Sequence, residues 1–457
     1  MSLVVTILAA GKGTRMKSKL PKVLQPLAKK PLLQHVIETA QQLNAHKILP
    51  VIGHGAELVQ QSLQDDALHW VMQTEQLGTG HAVQQVVPYL EANDQVLILY
   101  GDVPLIQPET LQDLLSLLDN QHPLALLTVS LDQPKGYGRI LRDAHMNVTA
   151  IVEEKDASLE QKQVQEVNTG IMAANATALK KWLAALNNEN AQGEYYLTDI
   201  IAMAVADGYH IRTTQPQDER EVLGVNDKLQ LQNLERIYQS LQAEKLMQAG
   251  VTLLDANRLD IRGNVQVGQD VEIDVNVVLE GEIQLGDNVK IGANCILKNC
   301  QIEANSVIEP FSHLEGAKVG PNCIIGPYAR LRPGTVLAER VKIGNFVETK
   351  KAHIGSGSKV NHLSYIGDTQ MGGGCNIGAG TITCNYDGVN KHQTVIGEGV
   401  FVGSDTQLIA PVEVGDHATI GAGSTIAKDV PPHQLTLSRS KQVSIKGWQK
   451  PSKKGSK

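Results

Sequence analysis

From Ile261 to Ile426 an aliphatic residue returns every six positions, a period that suits neither a helix nor an ordinary strand. The first run is Ile261, Val267, Ile273, Leu279, Leu285, Ile291 and Leu297, and the last is Ile396, Val402, Leu408, Val414, Ile420 and Ile426. Six residues accommodate one short strand and one corner, so three such steps close a three-sided coil whose aliphatic residues stack inward as each turn covers the last. Glycine follows the aliphatic residue in Val267-Gly268, Leu285-Gly286, Ile291-Gly292, Ile325-Gly326, Ile343-Gly344, Ile366-Gly367, Ile377-Gly378 and Val402-Gly403. A residue without Cβ suits the bend expected there. The phase slips by single residues, at Leu297 to Ile302 and Leu314 to Val319, without being lost.

The position four beyond each aliphatic residue should also point inward. It carries Val265, Val271, Val277, Val289, Cys295, Cys323 and Cys375, so three of the five cysteines are expected to fill core. Each inward Ile, Leu or Val stabilises the fold by roughly 1.5–3 kcal/mol when fully buried, so such a ladder holds together with few aromatic residues. The cysteines are odd in number and lack metal-type pairing, which supports neither a disulfide framework nor a zinc site. A net charge of −7 argues against a general nucleic-acid binder. No apolar run reaches membrane-spanning length. The apolar stretch Leu3 to Ala10 lacks a basic lead-in and runs into Gly11-Lys12-Gly13, so it reads as a first buried strand and the compartment as the cytosol.

Ahead of residue 226 the pattern changes. Apolar runs at Val4 to Ala9, Ile48 to Ile52, Val96 to Tyr100 and Leu124 to Val129 alternate with helix-like stretches such as Leu32 to Leu43 and Gly80 to Leu90. That alternation predicts a mostly parallel, doubly wound α/β sheet, with ligands beyond the carboxyl ends of its strands. Asp227 to Gln248 has neither Gly nor Pro and is followed by Gly250, which predicts one long helix with a glycine cap. The expected divisions are 1–226, a helix over 227–250, a coil domain over 251–437 and a basic tail over 438–457. That tail carries Arg439, Lys441, Lys446, Lys450, Lys453, Lys454 and Lys457.

The first strand ends in Leu8-Ala9-Ala10-Gly11-Lys12-Gly13-Thr14-Arg15-Met16, with Pro21-Lys22 close behind. Glycines there free backbone N–H groups to close on phosphate oxygens. The spacing fits neither a P-loop nor the dinucleotide fingerprint. Strand Val96 to Tyr100 runs into Gly101-Asp102, setting a carboxylate at a strand's carboxyl end. Mg²⁺ asks for one or two hard protein oxygens, which Asp102 and the side-chain oxygen of Asn226 could supply.

With Gln73 to His81, Tyr100-Gly101-Asp102, Tyr137-Gly138-Arg139, Glu153, Val167 to Gly170 and Gly224-Val225-Asn226, this stretch resembles the uridylyltransferase half of the bacterial bifunctional enzymes that make UDP-N-acetylglucosamine. The resemblance implies uracil recognition by Leu8, Ala9 and Gly11 together with Gln73, Gln76, Gly78 and Thr79. Tyr100 and Gly101 complete the nucleotide-sugar set, with Gly138, Glu153 and Asn168 on the sugar. Arg15 and Lys22 would bear on the phosphates, and Asp102 with Asn226 on Mg²⁺.

The coil breaks its own rule locally. Thr349 and Thr383 stand in aliphatic slots, the first beside Lys350-Lys351, the second before a turn-rich insertion, Cys384 to Gly388, that interrupts the ladder until Ile396. Rule-breaking of that kind marks function, and nearby Asn361-His362-Leu363-Ser364-Tyr365 offers His362 as a general base. Hexapeptide coils resemble the left-handed parallel β-helix acyltransferases, commonly trimers with shared sites. Arg332, Lys350, His362, Tyr365, Asn376 to Gly380, Asn385-Tyr386, Lys391, Ser404, Ala422 and Arg439 look like the acetyltransferase half of the same bifunctional family.

That resemblance implies an α/β Rossmann-like nucleotidyltransferase domain joined by a long helix to a left-handed β-helix. It implies acetyl transfer from acetyl-CoA to glucosamine 1-phosphate with His362 as base. Arg332, Lys350, Tyr365, Asn376 and Lys391 would hold the sugar phosphate. Ala379, Asn385, Tyr386, Ser404, Ala422 and Arg439 would hold acetyl-CoA, Asn385 also orienting the amine. Uridylyl transfer from UTP would follow, giving a precursor for peptidoglycan and lipopolysaccharide in a cytoplasmic homotrimer that needs neither nucleic acid nor membrane insertion. Two other readings stay open: a single-site nucleotidyltransferase whose coil assembles or regulates it, and a non-catalytic scaffold.

Overall fold

The computed structural model describes residues 2–190 and 192–451. Lys453, Lys454 and Lys457 of the expected basic tail lie outside the described residues. The chain divides into two compact units, Met1–Tyr238 and Gln239–Lys457.

In the first unit, Leu3–Leu8 sits between Gln95–Tyr100 and Lys47–Ile52, parallel to both. The sheet runs Arg212–Thr214, Leu124–Ser130, Glu166–Asn175, Gln95–Tyr100, Leu3–Leu8, Lys47–Ile52, Val71–Met72. Glu166–Asn175 is antiparallel to both neighbours and carries the hairpin Arg139–Arg142/Val148–Val152 at its edge. Continuous apolar runs are needed because both faces are covered. Val5, Ile7, Leu97 and Leu99 belong to one core, while Val4, Leu8, Val96 and Ile98 belong to the other. The helix expected over 80–90 is shorter: Thr79–Gln84 is helical and Val87–Tyr89 is a separate 3₁₀ turn. Pro88 lacks an N–H, and its ring would clash with the carbonyl four residues back.

A single helix, Lys228–Gln248, runs from the first unit into the second. Asp227 caps its start, accepting the N–H of Gln230 at 2.9 Å. Gly250, at φ +95°, takes the left-handed conformation that ends it.

The second unit is a parallel coil. One side is built of two-residue strands, from Thr252–Leu253 through Lys290–Ile291 and Ile324–Ile325 to Leu435–Thr436, except for the four-residue Lys342–Asn345 and Lys359–His362. The other two sides run into each other through longer strands such as Val277–Leu285 and Tyr365–Met371. Glu272 pairs with Lys290, eighteen residues on, and Lys290 with Val307, one fewer, because the slip after Leu297 shortens that turn. Asn376 pairs with Phe401, so the insertion is looped out and the ladder resumes in register.

The ladder is buried from Ile261 to Ile426, with Val265 and Val267 only partly so in the first coil. Four cysteines fill core rather than three, since Cys300 joins Cys295, Cys323 and Cys375. Gly326 takes a left-handed φ of +103°, but the other glycines of these pairs have a different reason. Gly286 and Gly344 lack positive φ, but a Cβ on them would stand 2.7 Å from Ala304 N and 2.0 Å from Asn361 O of the next coil. The left-handed corner falls two residues later, at Asn288 and Asn294, where asparagine tolerates it. Thr349 and Thr383, expected to mark the functional surface, are fully buried. Thr349 bonds the Thr335 hydroxyl at 3.0 Å and Thr383 accepts the Gly367 N–H at 2.8 Å, so a neighbouring hydroxyl satisfies the first and backbone the second inside the prism.

Candidate functional site

The first unit opens a cavity of about 570 Å³ at the carboxyl ends of Leu3–Leu8 and Gln95–Tyr100. Leu8, Ala9, Gly11, Lys22, Gln73, Gln76, Gly78, Thr79, Tyr100, Asp102 and Asn226 all line it, together with Lys12 and Glu194, which sequence reasoning had not assigned. The Gln73 amide donates to the Gly78 carbonyl at 3.1 Å and Gln76 to the Gln73 carbonyl at 3.0 Å, so the rim is internally braced. Gly78 is held at φ +112°, and a Cβ there would stand 2.6 Å from the Tyr195 carbonyl. Thr79 Oγ1 accepts the Leu197 N–H at 3.1 Å. Gly101 N bonds the Leu8 carbonyl at 3.0 Å, tying the two strand ends together.

Lys22 pairs with Asp102 and reaches Asn226 Oδ1 at 3.4 Å, while Arg15 Nη2 donates to the same oxygen at 2.9 Å. One carboxylate and one amide oxygen thus converge on one point with two cations beside them. Among the described residues no group of three or more His, Cys, Asp and Glu is placed to hold a metal. The pair nonetheless fits a hard cation that draws its remaining ligands from phosphate and water.

Gly138, Glu153 and Asn168 lie next to this cavity rather than in its wall. Asn168 N bonds the Gly138 carbonyl at 2.9 Å, and a Cβ on Gly138 would stand 3.4 Å from Glu153 Oε1. Burial raises the pKa of Glu153, Asp156 adds to the effect, and a hydrogen bond from Thr198 partly opposes it. Burial likewise raises Tyr100, with Asp102 and Glu153 contributing. Tyr100 is therefore within electrostatic reach of both Glu153 and Asp102.

On the coil, one corner is a column. Leu363 N donates to the Asn345 carbonyl, Gly380 N to that of His362, Asp405 N to Ala379 and Gly423 N to Ser404. Successive coils therefore place Asn345, His362, Ala379, Ser404 and Ala422 above one another, about 4.8 Å apart. Arg439 lies at the same corner, its Nη2 3.7 Å from where a Gly421 Cβ would be. His362 is exposed, and Nδ1 lies 3.0 Å from Asn345 Oδ1. An amide oxygen can only accept, so this contact favours the tautomer with its proton on Nδ1, in which a neutral ring keeps its lone pair on Nε2.

Around the corner from His362, Arg332, Lys350, Tyr365, Asn385 and Lys391 share one face. Arg332 Nη1 donates to Glu348 at 2.8 Å, and the Asn385 amide bonds Asp368 and, at 3.5 Å, the Tyr365 hydroxyl. Lys391 beside it, then Arg332, lower the pKa of Lys350. Three crowded cations, of which Arg332 is paired with Glu348, suit a phosphate. Asn376 stands on the neighbouring strand to Lys359–His362. Tyr386 is exposed and bonds the Gly388 carbonyl at 2.6 Å within its own loop, so it is not brought into the column. Asn345, Glu348 and Asp368 were missed. Asn345 lies one coil before His362, so counting back a full turn would have found it.

A mostly parallel α/β sheet with a cavity at its strand ends and a hexapeptide coil together define a nucleotidyltransferase fused to an acyltransferase-type left-handed β-helix. Residues 5–192 match the MobA-like NTP transferase domain, 261–348 the GMPPB C-terminal domain, and 393–428 the bacterial transferase hexapeptide (six repeats). The chain is 67% identical to the bifunctional protein GlmU of Hydrogenovibrio crunogenus over 99% of its length and 100% of that protein. It is 59% identical to that of Marinobacter nauticus over 99% of each. A solved nucleotidyl transferase from Methanothermobacter thermautotroptrophicus, 16% identical, covers 52% of this chain and 97% of its own at a TM-score of 0.38, too slight a likeness to carry an argument. The chain belongs to the bifunctional GlmU family.

Proposed function

We propose that this chain makes UDP-N-acetylglucosamine at two centres, acetylating glucosamine 1-phosphate on the coil and then joining the product to UTP in the first unit. Support comes above all from the corner column, where His362 stands in line with Ala379, Ser404 and Ala422. An extended thioester laid along those small residues presents its carbonyl to the imidazole.

Glucosamine 1-phosphate enters with its phosphate on Arg332, Lys350 and Lys391, while Tyr365, Asn376 and Asn385 orient the ring and amine. An ammonium cannot attack a thioester, so Nε2 of His362 takes its proton. Asn345 fixes the tautomer that leaves Nε2 available. The amine attacks the carbonyl, its remaining surplus proton leaves to solvent, the tetrahedral centre collapses with cleavage of the C–S bond, and the imidazolium returns its proton to the departing thiolate. Arg439 meets the phosphates of CoA.

In the first unit Gln73, Gln76, Gly78 and Thr79 frame the base, and Gly138, Glu153 and Asn168 the sugar. A phosphate oxygen of N-acetylglucosamine 1-phosphate attacks the α-phosphorus of UTP and pyrophosphate leaves. Arg15 and Lys22 offset the repulsion between the two anions and stabilise the charge that develops. Asp102 and Asn226 are the residues that would hold Mg²⁺, which when bound neutralises phosphate oxygens.

The nucleotidyltransferase is assigned to 1–226, the connecting helix to 227–250, the acetyltransferase to 251–437 and the basic tail to 438–457. No helix among the described residues is long and apolar enough to cross a membrane, and a cytoplasmic homotrimer is the form proposed. A single-site enzyme with an inert coil would have no use for an aligned base beside a cluster of three cations. The test is product formation from glucosamine 1-phosphate, acetyl-CoA, UTP and Mg²⁺, with each half-reaction followed separately. Asp102→Ala should abolish uridylyl transfer and spare acetyl transfer, and loss of either partial reaction in the unaltered protein refutes the reading.

A further inference from the structure

Arg139 takes no part in the chemistry above, yet it is among the largest fully buried side chains of the first unit, at 2% exposure. Its guanidinium fastens three segments. Nη2 lies 2.7 Å from Glu154 Oε2, Nη1 donates to the Tyr137 carbonyl, and Nη2 also reaches the Lys162 carbonyl at 3.4 Å. Glu154 in turn accepts the Gly136 N–H at 3.3 Å. The loop leading into Gly138 is therefore tied at two points to the turn that begins at Glu153, and Arg139 pairs directly across the hairpin with Val152.

A guanidinium is costly to bury, and an apolar side chain of similar size would pack the hairpin without that cost. What arginine adds is a rigid planar fork that sets distances between the groups it holds. Its Nε has no partner among the described residues, so the placement serves the three segments rather than the arginine's own hydrogen bonding. The groups so spaced are Gly138, whose carbonyl takes the Asn168 N–H at 2.9 Å, and Glu153, the immediate neighbour of Glu154.

We propose that Arg139 is a positioning residue for the sugar-phosphate acceptor: with Glu154 it fixes the spacing of Gly138, Glu153 and Asn168 and so governs how the sugar is held, while leaving the nucleotide side untouched. The inference rests on the uridylyl-transfer reading. It is tested by steady-state kinetics on full-length Arg139→Met, Arg139→Lys and Glu154→Gln. Arg139→Met should raise KM for N-acetylglucosamine 1-phosphate about tenfold or more, as expected when positioning is loosened. KM for UTP should stay within about twofold, as should the rate of acetyl transfer. Arg139→Lys, which keeps the charge and loses the fork, should fall between. Glu154→Gln should shift the sugar KM in the same sense. An equal rise in both KM values, or an unchanged sugar KM, overturns the proposal. Should Arg139→Met not fold, the partly exposed Glu154 carries the same split, and an unchanged sugar KM in Glu154→Gln is decisive against it. Absence of uridylyl transfer in the unaltered protein would instead sink the functional reading, and this inference with it.

Discussion

His362 and Asn345 form the smallest unit on which acetyl transfer depends. His362→Ala should lower acetyl transfer by roughly 10²–10⁴, the usual worth of a positioned general base, and spare uridylyl transfer. Asn345→Ala should cost roughly 10- to 100-fold, because the ring loses the partner that fixes its tautomer. Both are read from the rate of acetyl-CoA consumption. Glu153 carries a second prediction. Burial raises its pKa, with Asp156 adding to it, so between the ordinary glutamate value of about 4.3 and the raised one the native state holds a proton that the unfolded chain releases. Stability of the first unit should fall as pH rises through that window. Glu153→Gln should remove this dependence, which denaturant titrations at several pH values measure. His362 was legible because its neighbours in sequence carried the resemblance. Asn345 was not, because its contact is made one turn of coil away.

At the scale of the element, the six-residue period states which side chains are buried but not which residue bends. Glycine and the left-handed asparagine divide the corner between them, and only coordinates separate crowding by the next coil from backbone conformation. Gly344→Ala tests the first role. Its Cβ would stand 2.0 Å from the carbonyl of Asn361, whose strand Lys359–His362 bears the base. Overpacking of that order should destabilise by about 1–3 kcal/mol and also depress acetyl transfer. Gly286→Ala, crowding Ala304 instead, should destabilise comparably and leave acetyl transfer intact. Equal effects of both on activity would contradict the local account. The buried threonines have a local explanation too. Polarity in an inward slot signals function only if the group faces a ligand, and Thr349 and Thr383 find their partners inside the prism.

Across the whole molecule, the division into two units was legible because the hydrophobic period changes from strand–helix alternation to hexads on either side of one glycine-free helix. Association is implied only by the resemblance. The single chain leaves Phe311, Tyr328 and Phe346 stacked in the open, with ring centres 4.9 and 5.3 Å apart and about half of each exposed. An apolar ladder of this kind is a surface awaiting cover. The proposed homotrimer should show a native mass three times the 49.4 kDa of one chain, and Phe346→Asp should lower it in light scattering. A monomer at micromolar concentration would remove the trimer from the account.

The scarcity of aromatics in the aliphatic prism also determines what light can report. Trp70 and Trp182 belong to the first unit and Trp448 to the tail, so the stretch from 251 to 437 contains no indole. Its melting is dark to tryptophan emission. A fluorescence trace of this protein follows the nucleotide half and the exposed Trp448, and the coil must be watched by circular dichroism or by a dye.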